Sequence, residues 1–254
     1  MVNIPNVMMS SMLYRLFNML IFRMLGKLFG RKAPINGDLQ KKRQIEDAFS
    51  QYLGRAALGR IDLNKCNPID KIIIVTNIRH YVIISEKISV LSLSDMVNEY
   101  YSIVSNNARY YGADIDDFYG DHSLITFELE GSYDKVLERA ILFAITMQKS
   151  VDDNNKERIA RSEHAFNITI GITSGEVFLG VFGNSLRKKC TVIGGPVNSA
   201  FMAAKIGNEG QICVPSGFFE SCKSIIRSLG YLVVEVEYFN NAKYCGFNVG
   251  KGIN

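Results

Sequence analysis

The hydrophobic and polar residues of this 254-residue chain follow two different periods. Apolar residues recur every three to four positions over 92–111 and 133–151, which predicts two amphipathic helices. Segment 71–76 is almost continuously apolar, as expected of a strand that is covered on both faces. Shorter apolar runs predict further strands at 122–129, 166–173, 177–182, 211–214, 232–236 and 246–249.

Turn and capping residues set the boundaries of these elements. Ser94 or Asp95 is expected to cap the first helix, and Gly112 is expected to end it. Local sequence also predicts a hairpin turn at 119–121, a polar loop at 152–163, a turn at 174–176 and a short helix at 198–206. Strands and helices in this order predict an α+β sandwich, with helices on one face of a mostly antiparallel sheet.

The first 42 residues differ in character from residues 43–254, and we predict a domain boundary between them. Residues 8–29 are apolar but carry Arg15, Asn18, Arg23 and Lys27 on one helical stripe. Each charge buried in a membrane-spanning helix would cost about 2.5–3.5 kcal/mol. We therefore expect an amphipathic helix, which either lies on a membrane surface or packs on its own domain or a second subunit, followed by a linker.

Composition narrows the class of protein. A hydrophobic content of 47% with 21% charged residues fits a globular domain. The net charge of +4 is mild and concentrated in the first 60 residues, so no nucleic-acid-binding surface is predicted. The five cysteines are odd in number and never form a Cys-x-x-Cys motif, which predicts reduced thiols. The protein is therefore expected in the cytoplasm, either dissolved there or bound at the inner face of the membrane.

Two motifs carry the candidate chemistry. Residues 112–121 read Gly-Ala-Asp-Ile-Asp-Asp-Phe-Tyr-Gly-Asp, and residues 191–198 read Thr-Val-Ile-Gly-Gly-Pro-Val-Asn. With their spacing, the chain resembles the catalytic domain of class III nucleotide cyclases over about residues 45–250. The resemblance implies a ferredoxin-like sandwich over 43–254 that converts a nucleoside triphosphate into a 3′,5′-cyclic nucleotide and pyrophosphate. It also implies sites at the interface of a head-to-tail dimer.

The resemblance implies two divalent ions, Mn²⁺ or Mg²⁺, held by two carboxylates. Asp121 matches the second carboxylate, whereas Asn77 stands at the position of the first. One neutral amide oxygen replaces a charged pair, so we expect weaker metal binding. The backbone carbonyl of Ile78 is a further candidate ligand. Taken alone, a Gly-Asp pair is more typical of an ordinary turn than of a metal site.

The resemblance also implies contacts with the triphosphate and the base. The turn formed by Ile78, Arg79, His80 and Tyr81 is expected to offer backbone amides to the phosphates. Asp117 and Thr191 occupy the two base-recognition positions. A carboxylate only accepts hydrogen bonds, so Asp117 favours a base that presents N–H groups: guanine, cytosine or uracil, and not adenine by the usual residue pair. The alternative is that residues 114–117 form a solvated acidic loop.

The remaining family positions are expected to act on the partner subunit's site. Asn198 matches the amide that orients the ribose, although it could also cap the helix that begins there. Met202 stands where the family has an arginine that stabilises the transition state. Lys205, one turn further, is a candidate replacement for that positive charge.

Two functions follow from this pattern. The first is an active cyclase for a pyrimidine or guanine nucleotide, similar to the standalone bacterial pyrimidine cyclases of anti-phage signalling (Pycsar-type). The second is a pseudo-cyclase that acts as a regulatory or heterodimer subunit, because Asn77 and Met202 remove two charged groups from one reaction.

Overall fold

The computed structural model describes residues 68–184, 186 and 188–251. The predicted amphipathic segment 8–29, the linker and the boundary after residue 42 lie outside these residues. Within them, the chain forms eight strands and five helices.

The strands form one sheet, in the order β2-β3-β1-β4-β6-β8-β7, with β5 paired to β4. Only the β4–β6 pair is parallel, so the predicted mostly antiparallel sheet is confirmed. The strands are β1 (Pro68–Ile78), β2 (Asp114–Tyr119), β3 (His122–Glu128), β4 (Ile168–Gly183), β5 (Lys188–Ile193), β6 (Ile212–Pro215), β7 (Tyr231–Phe239) and β8 (Tyr244–Lys251).

Helices cover both faces of the sheet. They are α1 (Tyr81–Lys87), α2 (Val90–Tyr111), α3 (Tyr133–Ala160), α4 (Gly195–Ile206) and α5 (Ser216–Ser228). The larger core contains buried residues of α2, α3 and α5, whereas α4 packs on the opposite face, which was not predicted. Ile72 and Ile74 enter the first core, and Ile73 and Val75 enter the second. This division explains the continuous apolar run of β1.

Helix α3 is longer than predicted, because its polar second half has buried partners. Asn155 donates to the carbonyl oxygen of Phe166 at 2.7 Å, and its own carbonyl accepts from the Phe166 amide at 3.1 Å. The guanidinium of Arg158 is 1% exposed and lies 2.6 Å from a carboxylate oxygen of Glu99. The predicted loop at 152–163 is therefore wrong, since tertiary hydrogen bonds satisfy residues whose polarity suggested solvent exposure.

Other boundaries also differ from the predictions. Ser89, not Ser94 or Asp95, caps α2 by accepting a hydrogen bond from the Ser92 amide, whereas Gly112 ends the helix in a left-handed conformation as expected. Residues 174–176 pair with β1 and continue β4, so the predicted turn there is wrong. Helix α5 was missed, although its buried residues Phe219, Cys222 and Ile226 have helical spacing.

Candidate active site

The tip of the β2–β3 hairpin is fixed in place by its neighbours. Gly120 adopts a φ of 63°, which only glycine accommodates without strain. The Tyr101 hydroxyl donates to the Gly120 carbonyl at 3.0 Å, and its ring stacks on Phe118 with centroids 4.1 Å apart. The amide of Ile78 donates to the backbone carbonyl of Asp121 at 2.8 Å. Both α2 and β1 therefore hold the predicted metal residue at a defined position.

Asp121 meets Asn77, as the sequence predicted, and also His122. Asn77 donates from Nδ2 to Oδ2 of Asp121 at 3.1 Å, and the same nitrogen lies 3.0 Å from Nε2 of His122. Nδ1 of His122 lies 2.8 Å from Oδ1 of Asp121. Asn77 and His122 are direct partners in the β1–β3 ladder, so their side chains share a face. Sequence reasoning missed His122, although its position directly after Asp121 was visible.

A buried hydroxyl network lies beneath this trio on the other face of the sheet. Thr76 and Ser123, the neighbours of Asn77 and His122, both bond the hydroxyl of Tyr100, at 2.6 and 3.0 Å. Tyr100 is fully buried, and burial raises the pKa of its hydroxyl above its usual range. The hydroxyl therefore remains protonated and ties the two strands together under the site.

The side chains of Asp121, His122 and Asn77 fit one divalent ion better than two. Asp121 offers a carboxylate, His122 an imidazole nitrogen, and Asn77 an amide oxygen once its side chain turns about the Cβ–Cγ bond. Among the described residues, no group of three or more His, Cys, Asp and Glu side chains could hold a metal. Metal binding by Asp121, Asn77 and the Ile78 carbonyl thus stays a prediction. In it, the side-chain oxygen of Asn77 or the backbone oxygen of Ile78 must supply the ligands that carboxylates do not.

The phosphate-binding turn differs in part from the expectation. The amides of Ile78 and Arg79 donate to the carbonyls of Asp121 and Asn167, both at 2.8 Å, so they are not available to a phosphate. His80 adopts a left-handed φ of 54° and precedes the first residue of α1, Tyr81. The His80 and Tyr81 amides are the remaining candidates in this turn.

A β-bulge changes the partners of the acidic residues in β2. The ladder with β3 shifts register between Ile115 and Asp117, which leaves Asp116 as the extra residue. Asp116 accepts hydrogen bonds from the Thr191 hydroxyl and, at 3.2 Å, from the Val192 amide. Burial raises the pKa of Asp116 to about 6. The structure thus brings Thr191 to Asp116, and not to the predicted partner Asp117.

Asp117 has a different neighbour, Lys189 of β5. The Asp117 carboxylate forms an ion pair with the Lys189 ammonium group and accepts from the Phe118 amide at 2.8 Å. Lys189 also donates to the Tyr119 hydroxyl and lies 4.3 Å from the centre of that ring. Residues 114–117 are half-buried, so they do not form a fully solvated acidic loop. Sequence reasoning missed Lys189.

Helix α4 presents the predicted ribose and phosphate residues on one exposed face. Gly194 precedes the first helical residue, so Asn198 lies within the first turn and is not the cap. Asn198, Met202 and Lys205 follow one another at spacings of four and three residues and are all exposed. The Arg79 guanidinium donates to the Lys205 carbonyl at 2.9 Å, which anchors the end of α4 beside the phosphate-binding turn.

The base and metal candidates lie on the same side of the sheet. The Phe201 ring of α4 contacts the rings of both Tyr119 and His122, at centroid distances of 6.0 and 5.6 Å. The sheet carries a Gly-Asp hairpin apex beside the amide of Asn77, and α4 begins within a Gly-Gly-Pro sequence. Together these features define a nucleotide-cyclase-like catalytic domain. Residues 65–237 match the family model of the adenylate and guanylate cyclase catalytic domain, and the chain belongs to that family.

Two curated relatives illustrate how far the similarity extends. An "Adenylate cyclase" of Anabaena cylindrica is 27% identical over 163 residues, which are 63% of this chain and 32% of that protein. An uncharacterized protein of Mycobacterium tuberculosis is 24% identical over 175 residues, which are 67% of this chain and 31% of that protein. The chain therefore spans about a third of the length of these relatives.

Solved structures share the fold. The guanylyl cyclase Cya2 has a TM-score of 0.62 at 22% identity, covering 74% of this chain and 94% of that one. The adenylyl cyclase CyaB from P. aeruginosa has a TM-score of 0.61 at 24% identity, covering 74% of this chain and 97% of that one. Members of this family generally use Mg²⁺ or Mn²⁺. Among the described helices, none is long and apolar enough to cross a membrane.

Proposed function

We propose that the chain is a nucleotide cyclase that forms a 3′,5′-cyclic nucleotide and pyrophosphate from a nucleoside triphosphate. The observation that carries this proposal is the meeting of Asp121 and Asn77 at the fixed hairpin tip of a cyclase-family domain. A single carboxylate supported by an amide and an imidazole is a usable site for one divalent ion.

Each residue then has a defined task. Asp121 holds the divalent ion, which when bound lowers the pKa of the attacking ribose 3′ hydroxyl and neutralises charge on the triphosphate. The His80 and Tyr81 amides donate to phosphate oxygens. Related cyclase domains act as dimers, and on that arrangement Asn198 orients the ribose in the partner's site. Lys205 supplies positive charge that Met202 cannot supply.

Base selection rests on the Asp117–Lys189 pair. Asp117 accepts a hydrogen bond from an N–H group of the base, and Lys189 donates to an acceptor beside it. Asp116 does not contact the base in this scheme, because Thr191 and the Val192 amide already occupy its carboxylate. We propose a guanine or pyrimidine nucleotide as substrate, since the resemblance implies that cyclases which read adenine have a lysine at the position of Asp117.

The direct test is product analysis. The full-length protein is incubated with Mn²⁺ and the four ribonucleoside triphosphates, and mass spectrometry identifies the cyclic product. We expect one dominant cyclic nucleotide that is not cyclic AMP, and its loss in Asp121→Ala. Asp153→Ala is the matched control, because Asp153 is exposed and pairs with Lys156 at the surface. Product that persists in Asp121→Ala would refute the site assignment.

The cellular role follows from the product. A non-adenine cyclic nucleotide fits a second messenger of anti-phage signalling in the cytoplasm, with residues 8–29 as a peripheral membrane contact. Cells that express the wild-type chain should lower the plating efficiency of a sensitive phage, and cells that express Asp121→Ala should not.

Deletion of residues 1–32 should move the protein from the membrane fraction to the soluble fraction; unchanged partitioning would rule out the membrane contact of residues 8–29.

A second candidate function is a pseudo-cyclase that acts within a heterodimer. Its supporting observation is that Asn77 donates a hydrogen bond to Asp121, where two carboxylates would share metal ions. An inactive wild-type chain that gains cyclase activity in the double variant Asn77→Asp, Met202→Arg would favour this function. Activity of the wild-type chain alone would exclude it.

A further inference from the structure

We propose that His122 is a side-chain ligand of the divalent ion, and that this nitrogen donor makes the site prefer a first-row transition-metal ion to Mg²⁺. The inference rests on the proposed function only in that the ion binds at Asp121. It goes further, because it names a ligand of a different chemical type and a preference among metals.

The geometry brings three donors to one point. Both ring nitrogens of His122 face site residues, Nδ1 at 2.8 Å from the Asp121 carboxylate and Nε2 at 3.0 Å from the Asn77 amide. The imidazole is 24% exposed and the Asp121 side chain is 30% exposed, so solvent and a metal can reach both. The Asp121 carboxylate and the His122 imidazole contact each other at 2.8 Å and need only small rotations to bind one ion. Asn77 joins them once its amide turns to present Oδ1 in place of the nitrogen that now contacts both residues.

The surrounding residues fix the orientation of the imidazole. The Phe201 ring lies 5.6 Å from the His122 ring, at an interplanar angle of 43°. The β1–β3 ladder places His122 opposite Asn77 and therefore on the same face. A ring held by an aromatic neighbour and a ladder pair is pre-organised, which reduces the entropy lost on binding.

The chemistry of the donors sets the preference. Mg²⁺ requires oxygen ligands in a nearly ideal octahedron and binds poorly where nitrogen must replace oxygen. Imidazole favours first-row transition ions, whose affinities rise from Mn²⁺ to Cu²⁺. With Asn77 in place of a second carboxylate, the described site has less negative charge for Mg²⁺. The neutral imidazole adds no charge, but its nitrogen bonds a transition ion more strongly than it bonds Mg²⁺.

Electron paramagnetic resonance tests the ligand directly. The full-length protein loaded with Mn²⁺ should show nitrogen hyperfine coupling in a pulsed experiment, and the coupling should change when histidine is labelled with ¹⁵N. The chain has only three histidines, at positions 80, 122 and 164. We expect the coupling to disappear in His122→Ala and to persist in His164→Ala, the matched control. His164 is exposed and bonds the Ala165 carbonyl.

A second measurement covers the case in which His122→Ala fails to fold. The double variant His80→Ala, His164→Ala leaves His122 as the one histidine of the sequence, and its Mn²⁺ complex should retain the coupling. For folded His122→Ala, Mn²⁺ titration should show affinity weakened about ten-fold or more, while Mg²⁺ affinity changes less.

Two outcomes overturn the inference. The first is a Mn²⁺ complex that depends on Asp121 but shows no histidine coupling, in which case His122 only positions the carboxylate. The second is equal loss of Mn²⁺ and Mg²⁺ affinity in His122→Ala. The proposed function fails separately: histidine coupling without any cyclic product would support the ligand and refute the cyclase, and cyclic product without coupling would do the reverse.

Discussion

One extra residue in β2 decides which carboxylate meets which partner. The bulge turns Asp116 towards Thr191 and leaves Asp117 beside Lys189. Asp116 is half-buried and its carboxylate accepts hydrogen bonds from two protein donors, whereas Asp117 forms an ion pair with a half-exposed lysine. We therefore assign a structural task to Asp116 and base recognition to Asp117, and each assignment makes its own prediction.

Asp116 should make the stability of the fold depend on pH. Because burial raises its pKa from 3.8 to about 6, the folded chain holds this proton more tightly than the unfolded chain. The contribution of Asp116 to the free energy of unfolding should therefore fall as pH rises from about 4 to about 6. Asp116→Asn should remove a fall on the order of 2 kcal/mol, measured by urea unfolding across that range. An identical pH slope in both proteins would contradict the assignment.

Asp117→Asn should relax base selection without unfolding the domain. An amide both donates and accepts hydrogen bonds, so the preference for a base that presents N–H groups should fall about ten-fold or more. The measurement compares initial rates with each triphosphate at one Mn²⁺ concentration. Asp114→Asn in the same strand is the control, and an unchanged preference in Asp117→Asn would show that Asp117 does not contact the base.

At the scale of elements, the site depends on how closely α4 approaches β4. A Cβ added at Gly171 would lie 2.2 Å from the Ala200 carbonyl oxygen and 2.6 Å from the Ala204 amide nitrogen. Both atoms belong to the helix backbone and cannot move alone. Gly171 therefore sets the distance between α4 and the sheet, and with it the positions of Asn198 and Phe201.

Gly171→Ala should lower the free energy of unfolding by about 1–3 kcal/mol. It should also reduce activity, because α4 must shift away from the sheet. Gly217→Ala is the matched control, since a Cβ there meets no atom within 4 Å. That control should be neutral or slightly stabilising. Equal stability of the two variants, measured by thermal unfolding, would contradict the close approach.

The sequence predicted elements with strong local signals and missed those that depend on distant partners. The apolar run of β1, the glycine that ends α2 and the Gly-Asp turn are local features, and the structure contains all three. The end of α3 was missed because the buried Arg158 pairs with Glu99 of α2, and the buried Asn155 bonds the backbone of Phe166. Polarity alone cannot reveal such partners.

The same distinction holds for the candidate site. Asn77 and Asp121 were placed together by family resemblance, and the structure brings them into contact. The exchange of Asp116 for Asp117 was not predictable, because a bulge depends on the register between two strands. His122 was missed because its contact with Asn77 arises from the pairing of β1 with β3. Lys189 was missed because it meets Asp117 between two strands that are distant in sequence and do not pair with each other.

At the scale of the whole molecule, the proposed site residues divide into two groups by the elements that carry them. Asn77, Asp121 and Asp117 belong to the sheet and hairpin, whereas Asn198 and Lys205 lie on the exposed face of α4. In the head-to-tail dimer that we propose, each complete site would combine the first group of one protomer with the second group of its partner.

This arrangement predicts complementation between inactive variants. Asp121→Ala and Asn198→Ala should each be nearly inactive alone, but an equimolar mixture that exchanges subunits should recover about a quarter of wild-type activity. Half of the dimers are then mixed, and each mixed dimer has one intact site. Activity no greater than the sum of the separate variants would place Asp121 and Asn198 in the same protomer's site.

The most direct test of the central claim is the stoichiometry of the reaction. The full-length protein is given Mn²⁺ and each ribonucleoside triphosphate separately, and cyclic nucleotide and pyrophosphate are quantified together. The account predicts equal amounts of the two products from a guanine or pyrimidine triphosphate, and neither product from the Asp121→Ala protein. Pyrophosphate without cyclic nucleotide, or no turnover of any triphosphate by the wild-type chain, would contradict it.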